Sequence, residues 1–325
     1  MTPVKPHHLP LGTGGEFDRL RAIFARLGDT AADLGDGCAL VSLGDTTLAI
    51  SIDCSYEGVH FRTDWLTFQE IGWRAGAAAL SDLAAEGAKP IGVLVSLGLP
   101  GRGKGEGGGD DAAEIMSGIA AVCKSVGAKV LGGDLINSDK YLVDVCVLGT
   151  TPHPVRRAGA RPGDALWVTG TLGGAGLALQ RLKTNRPLEG PLRGRFAHPE
   201  PRVAAGQWLA SQGATALIDL SDGLSSDAGH LAAASQVRLE IALERVPIWG
   251  GVDPLSAVSS GEEYELLVAL PPTFTDARAR GFPQEFGVPL TRIGVCNAGS
   301  GVRFTDRGQT VAVPSGYDHF AGPTS

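Results

Sequence analysis

A chain of 325 residues with a formal net charge of −7 has room for two domains and carries no basic block for a nucleic-acid surface. Its hydrophobic fraction of 43% is ordinary for a globular protein, and no apolar run is long enough to span a membrane. The five cysteines, Cys38, Cys54, Cys123, Cys146 and Cys296, are odd in number and form no Cys-x-x-Cys pair. That usage predicts free thiols in a reducing, cytoplasmic setting. Residues 1–15 are polar and lack the apolar core of a signal peptide. Residues 16–27 place Phe17, Leu20, Ile23, Phe24 and Leu27 at helical spacing, with Gly28 as a stop. Asp36-Gly37 then reads as a turn entering a strand at 38–41, and residues 46–52 as its hairpin partner, ending at Asp53.

Residues 67–87 form the longest helical pattern, and within it Asp82 sits among small apolar residues. A lone aspartate there costs several kcal/mol, on the order of the price of burying an unpaired charge, unless it is paired, capped or bound to metal. An apolar strand at 91–99 leads into a glycine-rich stretch, 98–109, which lacks the GxxxxGK[ST] spacing of a phosphate cradle and reads as a surface loop. A helix over 110–126 precedes a short strand, 128–131, predicted to end at Gly132-Gly133-Asp134; residues 141–148 alternate as a strand. The proline- and arginine-rich stretch 151–163 marks the domain boundary, giving domains 1–152 and 153–325. Within it Arg156-Arg157 reads either as solvated linker or as a phosphate contact.

In the second half, strands are predicted over 164–169, 214–218, 237–243, 266–270, 291–295 and 301–304. Helices are predicted over 173–182, 201–212 and 224–236, with a polar, proline-rich connector over 183–201. The most informative stretch is Ile218-Asp219-Leu220-Ser221-Asp222-Gly223, where carboxylates gather between a strand end and a helix start. Such acids repel unless a cation or proton intervenes, and hard oxygen donors suit magnesium. Asp36, Asp53, Asp82, Asp134, Asp219 and Asp222, with few histidines and no nucleophile elbow, point to magnesium holding polyphosphate. An acceptor that is itself a phosphate needs no strong base, because its second pKa is about 6.

These motifs in this order resemble the bacterial thiamine-monophosphate kinases, within the superfamily that includes aminoimidazole ribonucleotide synthetase. The resemblance runs from Gly15-Glu16-Phe17 to Gly316-Tyr317-Asp318-His319-Phe320. It rests on residues 34–40, Ser51-Ile52-Asp53, His60-Phe61, residues 80–85, Gly132-Gly133-Asp134, residues 218–224 and residues 261–266. It implies an α/β (α+β) protein of two domains. The N-terminal one is a mixed sheet with helices that pairs into a barrel across a homodimer, and the C-terminal one is α/β. It implies ATP-dependent phosphorylation of thiamine monophosphate to thiamine diphosphate. Position by position, Asp36, Ser51, Asp53, Asp82, Asp134, Asp219 and Asp222 correspond to the magnesium side. Gly133, Asp134, Arg157 and Ser221 correspond to ATP contacts, and His60, Glu262 and Tyr317 to contacts with thiamine monophosphate.

The chain departs from the family where a second aspartate is replaced by Gly37 and a hydroxyl by Ile52. Ala79, Leu135 and Ile136 likewise stand at positions that are polar in the family. The departures motivate an alternative, a kinase-like protein that binds nucleotide or thiamine phosphate without turnover. Another ATP-using enzyme of the superfamily is the second alternative. Of these, selenophosphate synthetase is disfavoured because no cysteine precedes Cys38.

Overall fold

The computed structural model describes residues 8–101 and 110–320, so the glycine-rich stretch expected over 98–109 falls outside the described residues from 102 onward. In chain order the elements are α1 (Gly15–Leu27), β1 (Ala39–Leu43), β2 (Thr46–Tyr56), α2 (Phe68–Ala85), β3 (Lys89–Pro100), α3 (Asp110–Ser125), β4 (Lys129–Ser138) and β5 (Leu142–Thr151). There follow β6 (Ala165–Thr169), α4 (Gly174–Lys183), α5 (Gly190–Ala197), α6 (Val203–Ser211), β7 (Ala216–Asp219), α7 (Leu224–Ser235) and β8 (Arg238–Ala242). The last are α8 (Pro254–Ser259), β9 (Leu266–Leu270), α9 (Asp276–Ala279), α10 (Phe282–Phe286), β10 (Leu290–Asn297), β11 (Gly301–Asp306) and β12 (Gln309–Val311). This is an α/β chain in two compact units, each built on its own sheet.

One unit spans Leu40–Pro154 and Leu177–Gln207 and holds a five-stranded sheet in the order β1-β2-β5-β3-β4. Pairing of β5 with β2 and with β3 is antiparallel, and β3 with β4 is parallel. One face carries Ala49, Val93, Val95, Leu97, Val143, Val145 and Val147, all buried. Burying each valine or leucine contributes about 1.5–3 kcal/mol. Helix α2 starts with a capping box, in which the Thr67 side chain and Glu70 satisfy each other's backbone N–H groups. It ends where Gly87 takes φ +63°. Its small residues let α3 approach closely: a Cβ on Gly72 would collide with the Ile115 carbonyl, and one on Gly118 with the Gln69 carbonyl.

The structure corrects the expected strand ends. Strand β2 continues past Asp53 to Tyr56, and β4 runs through Asp134 to Ser138. Both acids therefore lie inside strands. The ladder extends them: Asp53 pairs with Val145 and Asp134 with Ser96, and backbone pairing needs no apolar side chain. The expected connector 183–201 contains α5, entered through Gly190-Pro191 and held by buried Leu192, Phe196 and Ala197. Arg193 fixes it to α2 through two hydrogen bonds to Glu70, at 2.9 and 2.6 Å.

The other unit contains the chain up to Ala39, Val155–Gly176 and everything from Trp208 onward. Its seven-stranded sheet runs β12-β11-β8-β10-β6-β9-β7, antiparallel except for β11 with β8. Leu166, Val168, Ile218, Leu231, Leu239, Ile241 and Ile293 form its core, with α7 laid over one face. Among the described residues no helix is long and apolar enough to cross a membrane.

Candidate functional site

In the seven-stranded unit the acidic turn follows β7, whose last residue is the buried Asp219. Gly223, at φ +112°, is the N-cap of α7 and brings no side chain to the free N–H groups of the helix start. Asp227 supplies the acceptor instead. Its Oδ2 takes the N–H of Asp222 at 3.2 Å and that of Gly223 at 3.0 Å, and the residue is buried. Alongside runs the segment before β9. The Glu262 N–H donates to the Ser221 carbonyl at 2.6 Å and the Tyr264 N–H to the Leu220 carbonyl at 2.8 Å. Glu262 and Tyr264 hold φ of +65° and +49°, a left-handed conformation that needs firm support. Two buried carboxylates give it. Glu263 Oε1 accepts the N–H of Gly173 at 2.8 Å and of Ala175 at 3.1 Å, and Glu265 Oε2 accepts the Thr169 hydroxyl at 2.6 Å.

The chain's last described residues lie against the same turn. Gly316 N–H donates to Ser226 Oγ at 3.0 Å and Tyr317 N–H to the Asp222 carbonyl at 2.9 Å. Asp318 Oδ2 accepts the Gly15 N–H at the start of α1, 2.6 Å away, and the Arg19 guanidinium lies 4.2 Å from the Phe320 ring centre. Glu262, Tyr317 and Asp222 are thereby gathered. Burial first, then the charges of Glu262, Asp222 and Asp318, raise the Tyr317 phenol above its usual range.

The turn gathers negative charge. Burial, followed by the negative charges of Glu16 and Asp219, pushes the Asp222 carboxyl up to about 7, against the opposing pull of Arg157. Asp227 is raised as well, by burial and by the neighbouring Asp222 and Asp219. Beside them His230 is pushed down to about 3 by burial and by Arg157, with its ring stacked on Phe17 at 3.9 Å. Asp222, Asp227 and His230 offer ligand atoms within 4.8 Å of one another, although His230 Nδ1 faces Gly12 and has no hydrogen-bond partner.

Asp36 is directed to the boundary segment. Its Oδ1 accepts the Arg157 N–H at 3.0 Å and the Gly37 N–H at 3.2 Å. Its Oδ2 accepts no hydrogen bond but pairs with Arg156 Nε at 3.4 Å. The Arg157 carbonyl accepts the Ser235 hydroxyl at 2.8 Å, so both sides of that arginine are tied down.

In the five-stranded unit, Ser51 Oγ donates to Asp82 Oδ2 at 2.6 Å, joining β2 to α2. Asp53, two residues on, shares the face of Ser51, because successive strand residues alternate. Asp134 is placed differently: it is level with Ser96 and, one strand further, with Asp144, on the face away from α2. Gly133 passes so close to β3 that a Cβ would strike the Val95 carbonyl. His60 Nδ1 accepts the Tyr56 N–H at 3.0 Å, so in the neutral ring Nε2 carries the proton. The donors on this unit are hard oxygens, and those on the acidic turn are gathered carboxylates with Arg157 close enough to oppose their shift. Both sets fit magnesium.

Two family models match the chain: AIR synthase related protein, N-terminal domain, over residues 35–151, and AIR synthase related protein, C-terminal domain, over residues 161–307. The thiamine-monophosphate kinase of Halobacterium salinarum is 35% identical over 274 residues, covering 82% of this chain and 90% of the relative. That of Salmonella typhimurium is 35% identical over 325 residues, 94% and 96% of the two chains. A solved structure described as AaThiL complexed with AMPPCP and TMP superposes with a TM-score of 0.82 at 31% identity, covering 94% of this chain and 97% of that one.

Proposed function

The chain belongs to the AIR synthase related family, as one of its thiamine-monophosphate kinases, and from that membership we propose that it moves the γ-phosphoryl group of ATP directly onto thiamine monophosphate with magnesium. An oxygen of the substrate's phosphate attacks the γ-phosphorus, the bond to the bridging oxygen breaks, and thiamine diphosphate and ADP leave. Catalysis here is positioning and charge stabilisation. Bound magnesium would neutralise the two phosphates as they approach. On the five-stranded unit, Ser51, Asp53 and Asp82 would hold one ion and Asp134, on the opposite face of the sheet, a separate one, while Gly133 would border the nucleotide and His60 would meet the substrate. On the seven-stranded unit, Asp219 and Asp222, with Asp36, would hold magnesium. There Arg157 and Ser221 would contact ATP, and Glu262 and Tyr317 the thiamine side.

The observation that carries this reading is the acidic turn, where Asp222 is pushed up to about 7 while its N–H and carbonyl stay bonded to Asp227 and Tyr317. Carboxylates gathered in this way repel one another unless a proton or a cation intervenes, and magnesium would serve as that cation. A homodimer that closes the five-stranded sheet into a barrel is part of the proposal. It is supported by exposed Ile52, Leu94 and Ile136, which register sets on the face away from α2. Five free cysteines support a reducing, cytoplasmic setting.

Purified protein with ATP, magnesium and thiamine monophosphate should yield thiamine diphosphate and ADP in equal amounts. Thiamine should be a poor acceptor, because its hydroxyl needs a base. Nucleotide binding without product would favour the non-catalytic alternative, and phosphorylation of thiamine would overturn the choice of acceptor.

A further inference from the structure

Asp227 has no part in the reaction as written, yet it is the buried group on which the acidic turn rests. Its Oδ2 takes the N–H groups of Asp222 and Gly223 together. The peptide thus fixed carries the Asp222 side chain on one end. Its other end is the Asp222 carbonyl, which accepts the Tyr317 N–H at 2.9 Å. Gly316 packs onto that same carbonyl, where a Cβ would collide, and its N–H bonds Ser226 Oγ one residue before Asp227. One carboxylate therefore sets two things: where Asp222 points and where Tyr317 is held.

We propose that Asp227 is a positioning residue which, as a double hydrogen-bond acceptor, aligns Asp222 on the magnesium side and Tyr317 on the substrate side of the reaction. The inference rests on the kinase reading above. The role needs an acceptor at the end of a short side chain, and a neutral amide provides one as well as a carboxylate does. Alanine provides none and takes the acceptor from both N–H groups, of which that of Gly223 is buried.

The test compares Asp227→Asn and Asp227→Ala with the parent protein in three measurements. These are the magnesium concentration for half-maximal rate, the KM for thiamine monophosphate, and calorimetric binding of magnesium with a non-hydrolysable ATP analogue. Asp227→Asn should stay within about threefold of the parent, while Asp227→Ala should raise both kinetic constants by about 10- to 100-fold, the scale of losing a group that orients a metal ligand. A structural role alone would lower the melting temperature and leave these constants where they were; that result for Asp227→Ala overturns the proposal. So does an Asn variant as impaired as the Ala variant, since it would make the charge, not the acceptor, the active property. Where Asp227→Ala does not fold, Asp227→Ser replaces it, because its hydroxyl stops short of both amides. Were the parent protein to make no thiamine diphosphate, the kinase reading would fall, and calorimetry on the same variants would still decide the role of Asp227.

Discussion

Substituting Gly316 by alanine tests the substrate side of the turn without touching a proposed ligand. A Cβ there runs into the Asp222 carbonyl oxygen and comes within 2.8 Å of Ser226 Oγ. The backbone must shift, and two hydrogen bonds go with it: Gly316 N–H to Ser226 Oγ at 3.0 Å and Tyr317 N–H to the Asp222 carbonyl at 2.9 Å. At a net 0.5–1.5 kcal/mol each, the loss is about 1–3 kcal/mol. That weakens docking of the segment roughly 5- to 150-fold. In its proposed role Tyr317 meets the substrate only when docked, so the KM for thiamine monophosphate should rise, by at most that factor. A site that is competent only part of the time binds proportionately more weakly. The KM for ATP should change little. Initial rates against each substrate, with thermal melts as a control on folding, make the measurement. An unchanged KM for thiamine monophosphate in a folded variant would refute the docking argument, and equal rises for both substrates would refute its restriction to one side.

Asp82→Asn keeps shape but not charge, and should lower turnover by at least about 100-fold with little change in melting temperature; near-parental turnover would remove Asp82 from the site. Magnesium titrations should show Asp53→Ala more impaired than Asp36→Ala, because Asp36 already pairs with Arg156, and Gly37→Asp should lower the half-saturating magnesium concentration. Indistinguishable titration midpoints for the parent protein and Gly37→Asp would deny the absent carboxylate any energetic role. In metal-free buffer, Asp222 binds its proton more tightly folded, at about 7, than unfolded, near 3.8. Its stabilising contribution is complete below pH 3.8 and is lost as pH rises through about 7, so melting temperature should fall across that window and fall less in Asp222→Asn. Magnesium should offset the loss at the alkaline end.

Much of this architecture is legible in the residues because local chemistry and packing agree. The helix over 67–87 is legible as the longest helical pattern in the chain, and Asp82 within it stands out as an acid with no business among alanines unless something holds it. Asp53 and Asp134 were harder to place. A polar residue after an apolar run reads as its end, but β2 and β4 take their length from partner strands, and partners are not visible in a local window. Helix α5 hides for a related reason: its apolar residues are few, and its anchor is Glu70, far away in the chain. Asp227 and Glu263 are missed differently. Their carboxylates serve backbone N–H groups inside the fold, and the one hint is a helix opening on Gly223, with no cap of its own.

The bond between Gly15 and Asp318 joins positions 303 residues apart, and it sets an order of assembly. The five-stranded sheet is contained in the middle of the chain, so it can form while synthesis is still under way. Helix α1 emerges first but must wait: Phe17 has no His230 to stack on, and the α1 N-terminus has no Asp318, until the far end of the chain arrives. Phe17 therefore waits for the far half of the chain before it is stacked. A chain that stops just before Asp318 should still fold the central sheet, yet leave the α1 N-terminus without its acceptor.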